Sequence, residues 1–467
     1  MLTVEMKVLL IYPPFQIGKG MGKVMCSPPL SLLTLAGTVS HLNHNIEILD
    51  LNVDHSCGID KLEKKIRQFN LIGITCMTNT FKVVLNICRI AKKYSIPTIL
   101  GGFHPTLVPN IIEEFDCIDM ICRGEGDITF RELLEGKPKH QILGLSYREN
   151  DAVIHNPDRP LIKDLDQLPF PNNYLVESKP YHYIWVPAWV CETSRGCPFK
   201  CNFCCVTQFH KGKYRIKSPE RVIRELLKVP NTVKLVFFTD DNFSLQKKRV
   251  MRICELLKKT KLSKRLMFVC QSRVDDIANN PDMVKAMSKA GFICFFLGFE
   301  SFKQMSLNNM EKQYTLDKVR KSINICHNNG IMVFGSFIIG NIGENIKDTW
   351  RTFKLMKELE LDMMMTNPIT PFPGTPLYNE AVEKGWIPEN FRWEKWDITP
   401  VMNTPDMTID EIQELLDESY RFFYNDIGYF LFGKKLLRLL FNPKFWWYRH
   451  VAFSVLTNGL TKFLMKL

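Results

Sequence analysis

Cys197, Cys201 and Cys204 stand in Cys197-Pro198-Phe199-Lys200-Cys201-Asn202-Phe203-Cys204, a C-x3-C-x2-C run on one short segment. Three thiols so closely spaced can close on a single compact metal centre. A structural zinc ion takes four ligands, commonly as two separated pairs, whereas three thiolates suit a four-iron cube. Such a cube keeps one iron free of protein ligands, and an open coordination position is where chemistry takes place. The competing explanation is chance, because the chain has 15 cysteines in 467 residues and cysteine is a common buried hydrophobe. Gly196 and Pro198 bracket the first thiol and favour a built site. Cys191 and Cys205 flank the triple and read as packing.

The loop needs a scaffold, and the preceding Ala188-Trp189-Val190-Cys191 is strand-like. Further strand candidates follow at Val233–Phe238, Met267–Cys270, Cys294–Gly298, Val333–Ile339 and Met363–Pro368, separated by lengths that suit βα units. This pattern places the thiols at the carboxyl end of a first barrel strand, the face on which (β/α) barrels carry their sites. Earlier in the chain, Val8–Tyr12, Ile46–Leu49, Leu71–Thr75 and Thr98–Leu100 read as buried parallel strands. Helical spacing over Leu30–Leu42, Ile59–Phe69 and Thr80–Tyr94 alternates with them, which predicts a Rossmann-like, doubly wound α/β domain. Gly101-Gly102-Phe103-His104-Pro105-Thr106 sits just past one strand end, where paired glycines let a flat ligand approach the backbone. Between these regions, Gly144–Arg148 turning at Glu149-Asn150-Asp151 into Val153–His155 reads as a hairpin, and Leu161–Asn173 as an irregular linker.

The cysteine run, the flanking Thr193-Ser194-Arg195-Gly196 and the aromatic Phe203 resemble the radical S-adenosylmethionine enzymes. The likeness is to the branch with an N-terminal cobalamin-binding domain, which includes hopanoid methylases and the magnesium-protoporphyrin ester cyclase. Gly101-Gly102-Phe103-His104-Pro105 and Arg123-Gly124-Glu125-Gly126-Asp127 resemble recurrent segments of that cobalamin domain. A D-x-H-x-x-G motif for a lower axial histidine is absent from the sequence. The resemblance implies a partial (β/α)6 barrel in place of a full eight-stranded one.

It also implies a [4Fe-4S] cluster on Cys197, Cys201 and Cys204, with S-adenosylmethionine on the open iron and cobalamin in the first domain. Phe203 belongs to the cofactor surroundings. Asp240 and Asp241, in Thr239-Asp240-Asp241-Asn242-Phe243, would accept from the methionyl ammonium. Gln271 and Arg273 are expected at the ribose and carboxylate, Glu300 near the ribose, and Gly340, within Gly335–Gly343, along the adenine. Gly101, Gly102 and His104 would face cobalamin, although a histidine there serves equally well by satisfying a backbone group. The implied reaction begins with reductive cleavage of S-adenosylmethionine and hydrogen abstraction from an unactivated carbon. C-methylation of an apolar substrate, lipid or polycyclic, is the expected outcome. Radical cyclisation or another carbon-skeleton change with the same cofactors is the nearest alternative. An alternative of another class, a non-catalytic metal-binding interaction module, would make Asp240, Gln271, Arg273 and Glu300 incidental.

Length and composition agree with this frame. A chain of 467 residues exceeds one ordinary core and splits into two or three domains. The expected boundaries are 1–145 for the cobalamin-binding domain, 146–186 for the hairpin and linker, 187–400 for the barrel and 401–467 for a helical C-terminal region. The N-terminus lacks signal-peptide features, and many cysteines without one point to a reducing compartment, so a cytoplasmic location is expected. A formal charge of +12 is spread along most of the chain and reads as solubility, and no RNA-binding motif points to nucleic acid. The glycine-rich Gly18–Lys23 segment lacks Walker spacing. Thr408 with Glu411 marks a capped helix start. Beyond it, Leu431–Leu440 and Phe445–Arg449 mix basic and aromatic residues, suiting either a cap over the barrel mouth or peripheral contact with the inner face of a membrane. A reductant such as ferredoxin or flavodoxin is the remaining expected partner.

Overall fold

The computed structural model describes residues 5–426, apart from 15–24, 55–57, 151, 184–185, 390, 392 and 394–398. The Gly18–Lys23 segment and the basic–aromatic stretch after residue 426 therefore lie outside the described residues.

Two sheets carry the architecture. The first contains β1 (Lys7–Tyr12), β2 (Asn45–Asp50), β3 (Leu71–Thr75), β4 (Thr98–Gly101), β5 (Met120–Cys122), β6 (Leu145–Glu149) and β7 (Ala152–His155). In space their order is β2-β1-β3-β4-β5-β6-β7, and the first five run parallel. Val8, Leu9, Leu10 and Ile11 on β1 are each at most 1% exposed. Burial on both faces is what makes the strand read as an unbroken apolar run. Each such side chain contributes about 1.5–3 kcal/mol through burial.

The hairpin forms where the sequence predicts it, but not as the start of a linker. β6 pairs antiparallel with β5, with Met120 opposite Tyr147, so the first sheet runs on to His155 rather than stopping near 145. Its buried Leu145, Ser146 and Tyr147 explain why: strand pairing covers the β5 edge.

The second sheet holds β8 (Val186–Cys191), β9 (Leu235–Phe238), β10 (Met267–Ser272), β11 (Phe292–Glu300), β12 (Met332–Ile339) and β13 (Met363–Pro368). All six are parallel, pair in chain order and curl into half a barrel. Behind β9–β11, Phe238 packs on Phe243, Phe268 and Phe292 with ring centroids 4.8, 5.5 and 5.7 Å apart. Such pairs add about 0.5–1.5 kcal/mol beyond area burial.

Short antiparallel strands at His182–Tyr183 and Met25–Cys26 extend this sheet beyond β8. The second of these comes from the first domain's own chain, so backbone hydrogen bonding joins the two units. At the opposite edge the Tyr424 hydroxyl donates to the Met364 carbonyl (2.7 Å) and accepts from its N–H (3.0 Å). Tyr424 ends the helix Ile409–Tyr424, which starts at the Thr408–Glu411 capping box expected from sequence. No helix among the described residues is long and apolar enough to cross a membrane.

Candidate functional site

The chain leaves β8 into the cysteine loop, and its entry is tied down before the first thiol. Ser194 and Arg195 pair antiparallel with Ile216 and Arg215, closing the loop into a ribbon. Gly196 follows with φ +84, and a Cβ there would sit 2.2 Å from the Lys213 carbonyl oxygen, so only glycine fits. Asp240, fully buried just past β9, accepts from the Thr193 N–H (3.1 Å), the Thr193 hydroxyl (2.6 Å) and the Ser194 hydroxyl. Asp241 accepts from the Gly196 N–H at 3.1 Å. Leu377 N–H donates to the Asn202 carbonyl (3.1 Å), fastening the far side of the loop.

Burial pushes the thiols of Cys197 and Cys204 up, that of Cys204 to about 12, with Cys201 the shared neighbour adding to both shifts. No three His, Cys, Asp or Glu side chains among the described residues converge as ligands of a single ion would. A four-iron cube is larger than an ion and holds its thiolates farther apart, with metal binding displacing the thiol protons. Two cations complete the fit to an anionic cluster. Arg273, 8% exposed at the end of β10, lies over the Phe199 ring at 3.5 Å and lowers the Cys197 thiol from its position alongside. Lys312, 7% exposed, has its Nζ 5.6 Å from the Phe203 ring centroid and is in electrostatic contact with Cys201.

The structure separates the two adjacent aspartates. Asp240 is spent on the loop entry and is not available to a ligand ammonium. Asp241 keeps acceptor capacity, and burial together with Asp240 pushes its carboxyl up to about 6. A buried carboxylate short of a cation is what an incoming ammonium would satisfy. Glu300 has φ +60 at the end of β11 and pairs with Lys312 at 2.6 Å. Arg273 donates to Asp275 (3.0 Å) and to the Lys312 carbonyl (2.6 Å). Gln271 is half-buried on β10. Gly340 adopts φ +91, and the space a side chain would need is taken by Ile412, 2.7 Å away, so its contact is with the C-terminal helix.

Phe203 lines a small cavity with Met310, Asn341, Ile342, Ile369 and Leu377. Asn341, 1% exposed, has a side-chain carbonyl oxygen with no partner there. Neither Lys312 nor Asn341 stands out in the sequence pattern. Lys312 meets Glu300 only because the left-handed turn folds the chain back, a geometry without a spacing signature.

At the carboxyl ends of the first sheet the surface is made by glycine. Gly102 (φ +107) is forced by the Cys76 carbonyl, which would lie 2.7 Å from a Cβ at this position. A Cβ at Gly101 meets nothing closer than 3.9 Å, and one at Gly124 nothing within 4 Å. His104 is 1% exposed, with Nδ1 3.2 Å from the Thr78 hydroxyl and Nε2 unpartnered. Burial holds its imidazole down to about 3, so it is neutral at physiological pH. These glycine ends and the orphaned ring nitrogen fit a flat ligand. They also lie beside the helix Cys205–Phe209 that follows the last cysteine: Phe103 packs on Phe209 with ring centroids 4.5 Å apart, and Gly374 lies between Leu107 and Gln208.

A doubly wound domain whose ligand end abuts a cysteine-bearing half barrel defines a two-cofactor enzyme. The chain matches the Radical SAM superfamily over residues 191–356 and the B12 binding domain over residues 24–134. It is 34% identical over 431 residues to an uncharacterized methyltransferase of Pyrococcus horikoshii, covering 90% of this chain and 92% of that one. The chain therefore belongs to the radical S-adenosylmethionine superfamily, in the branch that carries a B12-binding domain. It is 28% identical over 437 residues to the anaerobic magnesium-protoporphyrin IX monomethyl ester cyclase of Rubrivivax gelatinosus, covering 90% and 77% of the two chains. The solved structure of the radical S-adenosylmethionine methyltransferase TsrM from Kitasatospora setae, with cobalamin and a [4Fe-4S] cluster bound, shares the fold at TM-score 0.68, with 15% identity and 88% and 85% coverage. The protein is an enzyme that uses a [4Fe-4S] cluster, S-adenosylmethionine and cobalamin.

Proposed function

We propose that the protein methylates an unactivated carbon of an apolar substrate, a lipid or a polycyclic molecule, with Cys197, Cys201 and Cys204 as the cluster ligands. The observation that carries this reading is the packing of the glycine-bearing end of the first sheet, through Phe103, on Phe209 of the short helix that directly follows the three cysteines. The reduced cluster with S-adenosylmethionine supplies hydrogen abstraction from carbon, and cobalamin supplies a transferable methyl group.

The chain's own residues bind and orient. Asp241 accepts from the methionyl ammonium, and Lys312 with Arg273 faces its carboxylate, both cations being held in place by buried acceptors. Glu300 stands at the ribose. Phe203, Ile342 and Ile369 offer an apolar slot to the adenine, with the free Asn341 oxygen to accept from its amino group. Gly101, Gly102 and Gly124 admit the corrin to the backbone, and neutral His104 leaves Nε2 to meet it.

Aromatic side chains favour a flat apolar substrate. Trp393 packs against His104 (5.2 Å), Phe391 (5.3 Å) and Tyr378 (6.3 Å) beside the junction of the two units. The electron enters from a reductant of the ferredoxin or flavodoxin class, and the site of action is the cytoplasm or the inner face of a membrane. Cyclisation remains the second reading, supported by the relation to the ester cyclase. Reconstituted enzyme given S-adenosylmethionine labelled in its methyl group tests the assignment. Label appearing on the corrin supports methyl transfer. Cleavage to 5′-deoxyadenosine with an unlabelled corrin removes it and favours cyclisation.

A further inference from the structure

A buried ionic network spans the two units and ends two residues before the first cysteine. Arg195, 9% exposed, donates to Glu125 (2.8 Å), to both oxygens of Asp127 (2.8 and 3.2 Å) and to Glu192 (3.0 and 3.1 Å). Arg215, opposite it in the ribbon, donates to the other Glu125 oxygen (2.7 Å), the Ile162 carbonyl (2.9 Å) and His210 Nδ1 (2.9 Å). Lys217 reaches Glu225 at 3.0 Å and Glu192 at 3.6 Å.

Glu125 and Asp127 open the helix Gly126–Leu134 immediately after Gly124, whose open face adjoins the ligand end of the first sheet. One guanidinium fork thus bridges the residue before the cysteine loop and the turn that shapes the cobalamin side. Every charged side chain in the network has an oppositely charged partner, although Arg215 Nε itself meets no acceptor. The network's geometry is also stiff, because shifting either end leaves buried charges unpaired.

We propose that Arg195 is a positioning residue through which the cluster loop and the cobalamin-binding unit set each other's geometry, so that filling one site strengthens binding at the other. A cube on the three thiols fixes the loop and, through Gly196, the Arg195 backbone. The planar fork then holds Asp127 and Glu125 in register, and with them the Gly124 turn. Without the cube the loop keeps its ties to Asp240, Asp241 and Leu377 but lacks the anchor common to the three thiols, and the turn is held less tightly. Linkage requires the effect to be equal in both directions. Lysine has no fork and cannot substitute fully.

The inference rests on the cluster being held by Cys197, Cys201 and Cys204, which iron content of the wild type reads separately, at about four atoms per chain. The test is the hydroxocobalamin Kd of the full-length chain, measured anaerobically with the cluster reconstituted and with iron removed. The loaded wild type is expected to bind about tenfold more tightly than the iron-free protein, within the usual range of coupling. In Arg195→Met and in the isosteric Asp127→Asn the ratio falls to about one, and Arg195→Lys lies between. Arg252→Ala, which breaks an exposed pair with Glu220, keeps the wild-type ratio. A merely structural interface would weaken both Kd values of a variant and leave their ratio intact. Equal affinities in the wild type overturn the proposal, as does a wild-type ratio that persists in both Arg195→Met and Asp127→Asn. If Arg195→Met does not fold, Asp127→Asn carries the decision.

Discussion

The two halves of the site are built in opposite ways. At the barrel end, side chains do the holding: Asp240 clamps the loop entry, Asp241 ties Gly196, and Lys312 pairs with Glu300. At the end of the first sheet the surface is made by missing side chains at Gly101 and Gly124, with Gly102 packed on the Cys76 backbone and one buried histidine behind them. A compact anionic cluster and a zwitterionic cofactor need directed charges. A broad, flat corrin needs backbone within reach. Substitutions at the first end should therefore remove groups that act, and at the second end add bulk where space acts.

The largest effect is expected at the thiols. Cys197→Ala, Cys201→Ala and Cys204→Ala each lower iron content and 5′-deoxyadenosine formation to background, whereas Cys205→Ala retains both. Retention of activity in any of the three would erase the contrast at its strongest point. Next come the two aspartates. Asp240→Ala strands buried donors at Thr193 and Ser194 and should cost about 3 kcal/mol in denaturant unfolding. Asp241→Ala releases only the Gly196 N–H and should cost about 1 kcal/mol, yet weaken S-adenosylmethionine binding about tenfold, consistent with one lost charge-assisted hydrogen bond. Equal stability losses would show that Asp241 is structural too.

The glycines sharpen the other side. Gly124→Ala meets no atom within 4 Å and bears only the left-handed backbone penalty, about 1–2 kcal/mol. Its hydroxocobalamin affinity should nevertheless fall by about tenfold, as the methyl group enters the ligand's space. An unchanged affinity would move the corrin elsewhere.

The smallest effect is a pH slope. His104 is held at about 3 by burial against about 6.5 when unfolded, so the unfolded chain takes up a proton that the folded chain refuses. Stability is complete above about 6.5 and declines as pH falls toward 3, by at most about 1.4 kcal/mol per unit. His104→Gln should flatten that part of the stability profile. An unaltered slope would show that His104 titrates normally and lies open to solvent.

The contrast also explains what could be read in advance. Strand Met363–Pro368 and the Thr408–Glu411 cap stand where local pattern puts them, because apolar runs and capping residues act within a few positions. The cysteine loop was legible for the same reason. The β6–β7 hairpin was visible, but its pairing with Met120–Cys122 was not, since strand partners distant in sequence leave no local mark. Met25–Cys26, two residues joining the barrel sheet, carries no periodicity at all. Adjacent aspartates look alike in sequence, and only their hydrogen-bond partners in the folded chain tell Asp240, with three donors, from Asp241, with one. Arg195 read as a mere flank of the motif, because its partners Glu125 and Asp127 come from the other unit.

In the proposed arrangement one chain holds a cluster on three thiols and cobalamin at a separate, neighbouring site. This arrangement is tested most directly by measuring iron and corrin together in wild type and Cys201→Ala, reconstituted anaerobically at saturating hydroxocobalamin. About four irons and one corrin are expected per wild-type chain, and a Cys201→Ala protein that loses the cluster while retaining corrin. A wild-type chain that binds no cluster, or a Cys201→Ala chain with its cluster intact, would contradict it.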